Sequence, residues 1–369
     1  MRVLFWTANF WPNIGGVGIL ASQLLPALRQ RGHEFVVITP RTSPALPCKE
    51  LYRGTPIYRF PFWEAMIDVD RLTEIQHEIV GIERAFRPDL VHIYATNRSN
   101  FLYHLALSGC SVPLLVTLHG RWQEQADDLV KRTLHAAQWV VGCSSAILIE
   151  GRRLVPAIRP RSSVVRNSVM QPSLDPAPLP FRAPRLVCLG RLSSVKGFDL
   201  AVTAFASVVN RFPRARLCIA GDGPERTRLE GLAAQKGVAG SVEFAGRVDP
   251  SAVPSLINSA TIVVVPSRQE AFGLVALEAA WMGRPAVVSC VGGLSDLIVH
   301  HQTGLLVEKE NSEALAEGIL FLLEHPEEAV KMGEAARQRA IERYDWESHV
   351  DAYDRLYKNL ARGEDTGEY

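Results

Sequence analysis

Short apolar runs alternate with stretches of helical spacing along most of the chain. In the first part the runs Val3–Thr7, Glu34–Thr39, Leu90–Tyr94, Leu114–Thr117 and Trp139–Gly142 carry few polar interruptions. Continuous runs of this kind fit strands buried on both faces of a parallel sheet. Between them, Gly18–Arg31 and Leu72–Phe86 show helical periodicity and would supply the right-handed crossovers. The rhythm breaks at Met170–Pro184, where MQPSLDPAPLPFRAP holds five prolines and no periodicity. Proline removes a donor and fixes φ, so this stretch reads as an inter-domain linker. The alternation then restarts with Arg185–Leu189, Arg216–Ala220, Val242–Ala245, Thr261–Pro266 and Ala286–Ser289 as strands. Asp199–Phe212, Glu225–Lys236 and Ser312–Glu324 are the helices between them. One α/β unit is followed by another. A last helical pattern, Tyr344–Leu360, carries Tyr344, Trp346, Tyr353 and Tyr357 and is expected to pack across both domains.

A chain of 369 residues exceeds what one core usually holds, which agrees with two domains. Apolar residues at 47% and charged residues at 21% give an ordinary globular balance. The net charge of +1 makes no case for nucleic acid. The halves differ: residues 1–172 carry 19 basic and 13 acidic side chains, net +6, and residues 173–369 carry 21 and 26, net −5. A basic first half suits an anionic acceptor or an anionic membrane surface. The six cysteines are far apart, lack a CxxC, and read as small buried apolar residues in a reducing compartment. The start, MRVLFWTANFWP, enters a strand pattern directly, so no signal peptide is expected. No apolar run reaches membrane-spanning length. The expected location is cytoplasmic, with at most peripheral contact at the inner face of a membrane.

Four motifs in the second half share one physical logic, holding a diphosphate and a ribose. GRLSSVKG, Gly190–Gly197, follows a strand end, where open α/β sheets bind ligands; Arg191 offers a planar fork of donors and Lys196 a point charge. GDGPE, Gly221–Glu225, again follows a strand, and its glycines allow close backbone approach. PSRQEAFGLVALEAAWMG, Pro266–Gly283, sets Glu270 before a helix whose expected first turn is Phe272, Gly273 and Leu274, beside Ala271. Free N–H groups and the helix dipole would make an anion site there. Glu278 lies eight positions after Glu270 among Leu277, Ala279, Ala280 and Trp281, a setting that is costly for a charge without partners. The segment Cys290–Val307 adds Gly292-Gly293 and TGLLV.

The order GR..KG, GDGP, EAFGL-x3-E, GG and TGLLV resembles the retaining GT-B glycosyltransferases of family 4, which include sucrose synthase-like and mannosyltransferase enzymes. The resemblance covers nearly the whole chain and is strongest over Gly190–Val307. It implies an α/β GT-B architecture of two Rossmann-like domains facing a central cleft. Residues 1–172 would form the acceptor-binding domain, 173–345 the nucleotide-sugar-binding domain, and 346–369 a helix returning to the first. It implies that Arg191 and Lys196 grip the donor diphosphate, that Glu270 meets the sugar and that Glu278 meets the ribose. Gly246-Arg247-Val248 would border the nucleotide base. The Gly15-Gly16-Val17-Gly18 loop would approach the phosphates and the acceptor, and His119 in LLVTLHG would lie beside the reacting sugar. Asn9, Gly15, Gly16, Trp63 and Trp122 are the acceptor-side candidates.

The function so implied is retaining transfer of a hexose-type sugar from a nucleotide diphosphate sugar, a UDP- or GDP-sugar, to a hydroxyl acceptor. The acceptor could be a polysaccharide, a glycolipid or a small glycoside. The catalytic set is His119, Arg191, Lys196 and Glu270; no cofactor and no metal are expected. Asp68-Val69-Asp70 is a DxD, but it stands in a polar helical stretch rather than after an apolar strand. Gly16-Val17-Gly18-Ile19-Leu20-Ala21 fits GxGxxA, a weak dinucleotide signal without the ribose-binding acid after the second strand. A sugar-nucleotide epimerase on the same scaffold and a non-catalytic binding module are the other classes.

Overall fold

The computed structural model describes residues 1–12, 15–65, 68–95, 100–107, 112–120 and 128–364, with no side chain described at 63, 65 or 100–102. It forms two compact units, Met1–Asn167 with Glu347–Tyr369, and Ser168–Trp346.

Unit 1 holds strands β1 (Arg2–Thr7), β2 (Glu34–Pro40), β3 (Lys49–Tyr52), β4 (Thr55–Phe60), β5 (Leu90–Tyr94), β6 (Leu114–Leu118), β7 (Trp139–Gly142) and β8 (Ser162–Val164). Their order is β3-β4-β2-β1-β5-β6-β7-β8. Every neighbouring pair is parallel except β3 with β4. Strand order reverses between β1 and β5, with Phe5 opposite both Val37 and His92. The continuous apolar runs are buried along almost their whole length, as a sheet covered on both faces requires. The hairpin β3–β4 has no such run. At the sheet edge β3 alternates exposed and half-buried residues, and Arg53 and Gly54 turn the chain with φ of 47° and 79°. Two consecutive positive φ values make the tight turn whose twist matches the flanking strands.

The helix Gly16–Gln30 begins at Gly16, with Gly15 in extended geometry as its cap. The Gly15–Gly18 stretch, expected as a loop, is therefore mostly the helix's first turn. The helix Val69–Phe86 is capped by Asp68, whose Oδ1 accepts from the amides of Asp70 and Arg71 at 3.1 Å each. The DxD is thus a helix cap at its first acid. The final helix, Trp346–Arg362, carries fully buried Tyr353 and Tyr357. From Glu347 onward its residues belong to unit 1. His92 Nδ1 meets Tyr357 Oη at 2.7 Å and Nε2 meets Thr117 Oγ1 at 2.8 Å, while Thr117 Oγ1 also reaches Tyr353 Oη at 3.2 Å. These bonds satisfy buried polar groups that would otherwise be costly, and tie the helix to β5 and β6.

Unit 2 holds β9 (Arg185–Leu189), β10 (Arg216–Ala220), β11 (Val242–Gly246), β12 (Ile262–Val265), β13 (Ala286–Ser289) and β14 (Leu305–Val307), all parallel, in the order β11-β10-β9-β12-β13-β14. This is the doubly wound order, with its switch point between β9 and β12. Phe198, Val202, Phe205 and Val208 of the helix Phe198–Arg211 join Leu315, Ile319 and Leu322 of the helix Ser312–Glu324 in its core.

The proline-rich stretch is strapped onto unit 2 rather than hanging free. Ala177 N donates to Asn258 Oδ1 at 2.9 Å, and Asn258 Nδ2 donates to Asp175 O at 2.9 Å. Arg284, 1% exposed, reaches the Ala177 carbonyl and donates to Asn258 Oδ1 at 2.8 Å. With no acidic partner among the described residues, burial pushes the Arg284 pKa down to about 10. Cys143, Cys188 and Cys218 are buried as expected, but Cys48 and Cys290 are exposed, both outside strands. Cys110 lies outside the described residues. No helix among the described residues is long and apolar enough to cross a membrane.

Candidate active site

In unit 2 the predicted residues converge on the C-terminal edge of β9 and β12, the two strands that flank the switch point. Lys196 ends a single 3-10 turn, Ser194–Lys196, in the loop after β9. Glu270 stands in the loop after β12. Lys196 Nζ donates to Glu270 Oε2 at 2.7 Å, and Ser267 Oγ donates to the same oxygen at 3.3 Å. The Glu270 side chain is 14% exposed and the Lys196 side chain 31%. Arg191 is exposed, and its guanidinium has no partner among the described residues. A free fork and a half-covered ammonium on one loop are suited to a polyvalent anion.

Glycines bring the backbone of these loops together. A Cβ on Gly197 would stand 2.0 Å from Pro266 O, joining the β9 loop to the β12 loop. On Gly221 it would stand 1.8 Å from Gly190 O, and on Gly292 1.9 Å from Glu270 O. Gly293 N donates to Glu270 O at 3.1 Å, and a Cβ on Gly293 would lie 2.4 Å from Ala271 O. The GDGP and GG motifs therefore press directly on the GR..KG and EAFG motifs.

The helix Leu274–Trp281 starts at Leu274, with Gly273 as its cap at φ 103°. Phe272, expected in its first turn, is instead a buried residue ahead of the cap. Gly273 suits this position because only glycine takes that φ without strain. Ala276 N already donates to Gly273 O at 3.0 Å, and the amides of Leu274 and Val275, which have no acceptor among the described residues, are free for an anion. One turn on, Glu278 is half-buried, and its carboxyl has no partner among the described residues. Burial pushes its pKa up to about 7. Arg247 is exposed in the loop after β11, following Gly246 at φ 71°.

In unit 1, His119 follows β6 and packs on the Tyr94 ring at 4.3 Å between centroids. Asn167 Nδ2 donates to His119 Nδ1 at 3.4 Å. Burial pushes the His119 pKa down to about 3, and His349 adds to the shift. The imidazole is therefore neutral, and with Nδ1 accepting, its hydrogen sits on Nε2. That Nε2, the Tyr94 hydroxyl and Asn167 Oδ1 are all buried without a partner among the described residues. Asn9 is exposed after β1, its carbonyl accepting from Thr7 Oγ1 at 3.0 Å; Gly15 and Gly16 are exposed at the start of their helix. Trp122 and the Trp63 side chain lie outside the described residues.

The motif reading found Lys196, Glu270 and Glu278 but not Ser267, Arg268, Tyr94 or Asn167. Ser267 reaches Glu270 within its own loop, whereas the partners of the other three come from other loops and strands and leave no sign in the neighbouring sequence.

The family model described as Glycosyl transferases group 1 matches residues 176–339, and that described as Glycosyl transferase 4-like domain matches residues 15–170. Glycogen synthase of Mycobacterium tuberculosis is 30% identical over 405 aligned positions, 99% of this chain and 96% of that protein. Sucrose-phosphate synthase from Thermosynechococcus elongatus has a similar structure, with a TM-score of 0.87 at 24% identity over 98% of this chain and 100% of that one. The Anabaena protein HepE, solved with UDP and glucose, has a TM-score of 0.80 at 18% identity over 97% and 99%. At these identities the two structures speak for the fold, which is that of the GT-B glycosyltransferases.

Proposed function

The chain belongs to the glycosyl transferases group 1 family, and from that premise we propose a retaining, metal-independent transferase that moves a hexose-type sugar from a nucleotide diphosphate sugar to a hydroxyl acceptor. That it is a glycosyltransferase follows from the family. Glycogen synthase and sucrose-phosphate synthase, to which the chain is similar, are synthases, so the epimerase alternative finds no support. What supports the finer reading is one observation: Lys196 and Glu270 meet at 2.7 Å across the switch point, beside the unpartnered Arg191.

In this reading the diphosphate lies against Arg191, Lys196 and the amides after Gly273, and the sugar hydroxyls donate to Glu270. The bond from the anomeric carbon to the diphosphate oxygen breaks. The acceptor oxygen bonds the same face of that carbon, and its proton passes to a phosphate oxygen. The two cations stabilise the charge that grows on the leaving diphosphate, which is where preorganised electrostatics contribute most. His119, being neutral, orients the sugar through hydrogen bonding rather than by giving up a proton. Unit 1 carries the acceptor, and the protein works in the cytoplasm, with at most peripheral contact at a membrane.

The test is a panel of UDP-, GDP- and ADP-sugars with EDTA present, following release of the nucleoside diphosphate and the anomeric configuration of the product. HepE's complex puts UDP-glucose first in the panel. Turnover in EDTA with retained configuration is expected, and Glu270→Ala should lower it by about 10²- to 10³-fold. Inverted product or an absolute need for a divalent ion would overturn the corresponding part of the reading.

A further inference from the structure

Arg268 lies between Ser267 and Glu270 in the loop after β12, and its bonds run away from the ligand residues. Its Nη1 donates to Ser194 O at 2.6 Å, and its backbone amide donates to Val195 O at 2.8 Å. Both acceptors stand immediately before Lys196 in the single turn that presents it. The guanidinium also grips Asp199 as a fork, Nη1 to Oδ1 and Nη2 to Oδ2 at 2.8 Å each, and its Nε donates to Glu310 Oε2 at 3.0 Å. Asp199 sits in the first turn of the helix that follows Lys196 and Gly197. Burial pulls the Asp199 carboxyl up, but Arg268, joined by a backbone amide and Arg228, holds the group below its ordinary range.

The turn carrying Lys196 is thus held from both sides by one side chain, by its carbonyls upstream and through Asp199 downstream. A lysine could supply the charge, but its single ammonium cannot present a planar fork to a carboxylate and reach a carbonyl in fixed geometry. We propose that Arg268 is a positioning residue for the donor diphosphate, acting through Lys196: it fixes the Ser194–Lys196 turn to the loop bearing Glu270 and so sets where the ammonium stands. This rests on the donor-site reading above, and adds a specific residue to it.

The experiment is a double-mutant cycle on the full chain, with the affinities of UDP, GDP and ADP measured by calorimetry and the tightest of the three carried through. Arg268→Met should weaken binding about tenfold or more, since displacement of a binding group by about 1 Å is enough for such losses. In a Lys196→Met background, Arg268→Met should add less than about twofold, because the losses of residues acting through one contact do not multiply. Arg268→Lys should recover only part of the affinity, with its thermal midpoint near that of the wild type. If Arg268→Met does not fold, Asp199→Asn takes its place in the cycle. Wild-type affinity in Arg268→Met, full recovery in Arg268→Lys, or losses that multiply in the double variant would overturn the proposal. Failure of the wild-type protein to bind any of the three diphosphates would instead overturn the donor-site reading beneath it.

Discussion

The two units arm their sites in opposite ways. In unit 2 the site is made of charges and of backbone drawn close through glycine: Lys196 on Glu270 at 2.7 Å, and Gly292 under the Glu270 carbonyl. In unit 1 the polar atoms near His119 are neutral, buried and without a partner among the described residues: His119 Nε2, Tyr94 Oη and Asn167 Oδ1. A diphosphate is a strong, invariant anion that a prebuilt cradle can match. Sugar hydroxyls are neutral and directional, and a buried donor or acceptor without a partner discriminates strongly in favour of a ligand that supplies one. On the proposed function, the contrast is therefore between a site suited to charge and one suited to hydrogen-bond geometry.

The largest effect that tests this contrast is expected at Gly292. Its φ is 50°, and an added Cβ would meet Glu270 O at 1.9 Å and the Glu270 carbonyl carbon at 3.1 Å. Neither atom can yield without moving Glu270. Gly292→Ala should cost about 1–3 kcal/mol of stability from its backbone conformation alone. It should lower donor turnover by about a hundredfold, the scale of a displacement near 1 Å. Unfolding by denaturant and diphosphate release would report the two losses. Turnover at the wild-type level would mean that close backbone packing is not what aims Glu270, and the account of unit 2 as a rigid cradle would fail.

How much of this was legible in the sequence follows the same division. Ten strands were visible as apolar runs, because a parallel sheet covered on both faces leaves no alternation to confuse the pattern, while β4, β8 and β14 went unread. The edge strand β3, KELY, escaped because its side chains are exposed or half-buried and carry no such signal. In unit 2 the candidate residues sit in contiguous motifs after strand ends, so Lys196, Glu270 and the glycines could be read directly. Arg268 was passed over because an arginine in a loop is ordinary, and its role depends on Ser194 and Asp199 at a distance in sequence. In unit 1, His119 was legible but its setting was not. Tyr94, Asn167 and His349 come from separate segments, and nothing local marks them as neighbours. The proline-rich stretch showed its irregularity but not its attachment, which depends on Asn258 and Arg284.

A second effect sharpens the charge side of the comparison. Burial pushes the Glu278 pKa from 4.5 to about 7. The folded state therefore keeps a proton that the unfolded state gives up between pH 4.5 and 7, and stability falls as pH rises through that window. Above it the loss is constant, about 3 kcal/mol for a shift of this size. Glu278→Gln removes the titration. It should match the wild type in stability near pH 4 and exceed it increasingly up to pH 7, with a steady difference beyond. The two unfolding free energies measured across pH give the curve directly. A difference that does not vary with pH would mean that the carboxyl is solvated in solution and that its burial sets no part of the pH response.

The smallest effect bears on unit 1. Tyr94 is fully buried, its ring lies against His119 at 4.3 Å, and its hydroxyl has no partner among the described residues. Tyr94→Phe removes that hydroxyl and keeps the ring. A buried hydroxyl without a bond is a net cost, so the variant should be more stable by about 1 kcal/mol. If the hydroxyl is reserved for a substrate, donor transfer to acceptor should fall up to about tenfold while nucleoside diphosphate affinity, which the proposed reading assigns to unit 2, stays unchanged. Stability and transfer moving in opposite directions is the signature of a polar group left unsatisfied for a ligand. A loss of stability would show that the hydroxyl already has a partner, such as a bound water, and the contrast between the two units would then rest on His119 and Asn167 alone. A gain in stability with unchanged transfer would place the substrate elsewhere in unit 1 and leave Tyr94 as packing for the imidazole.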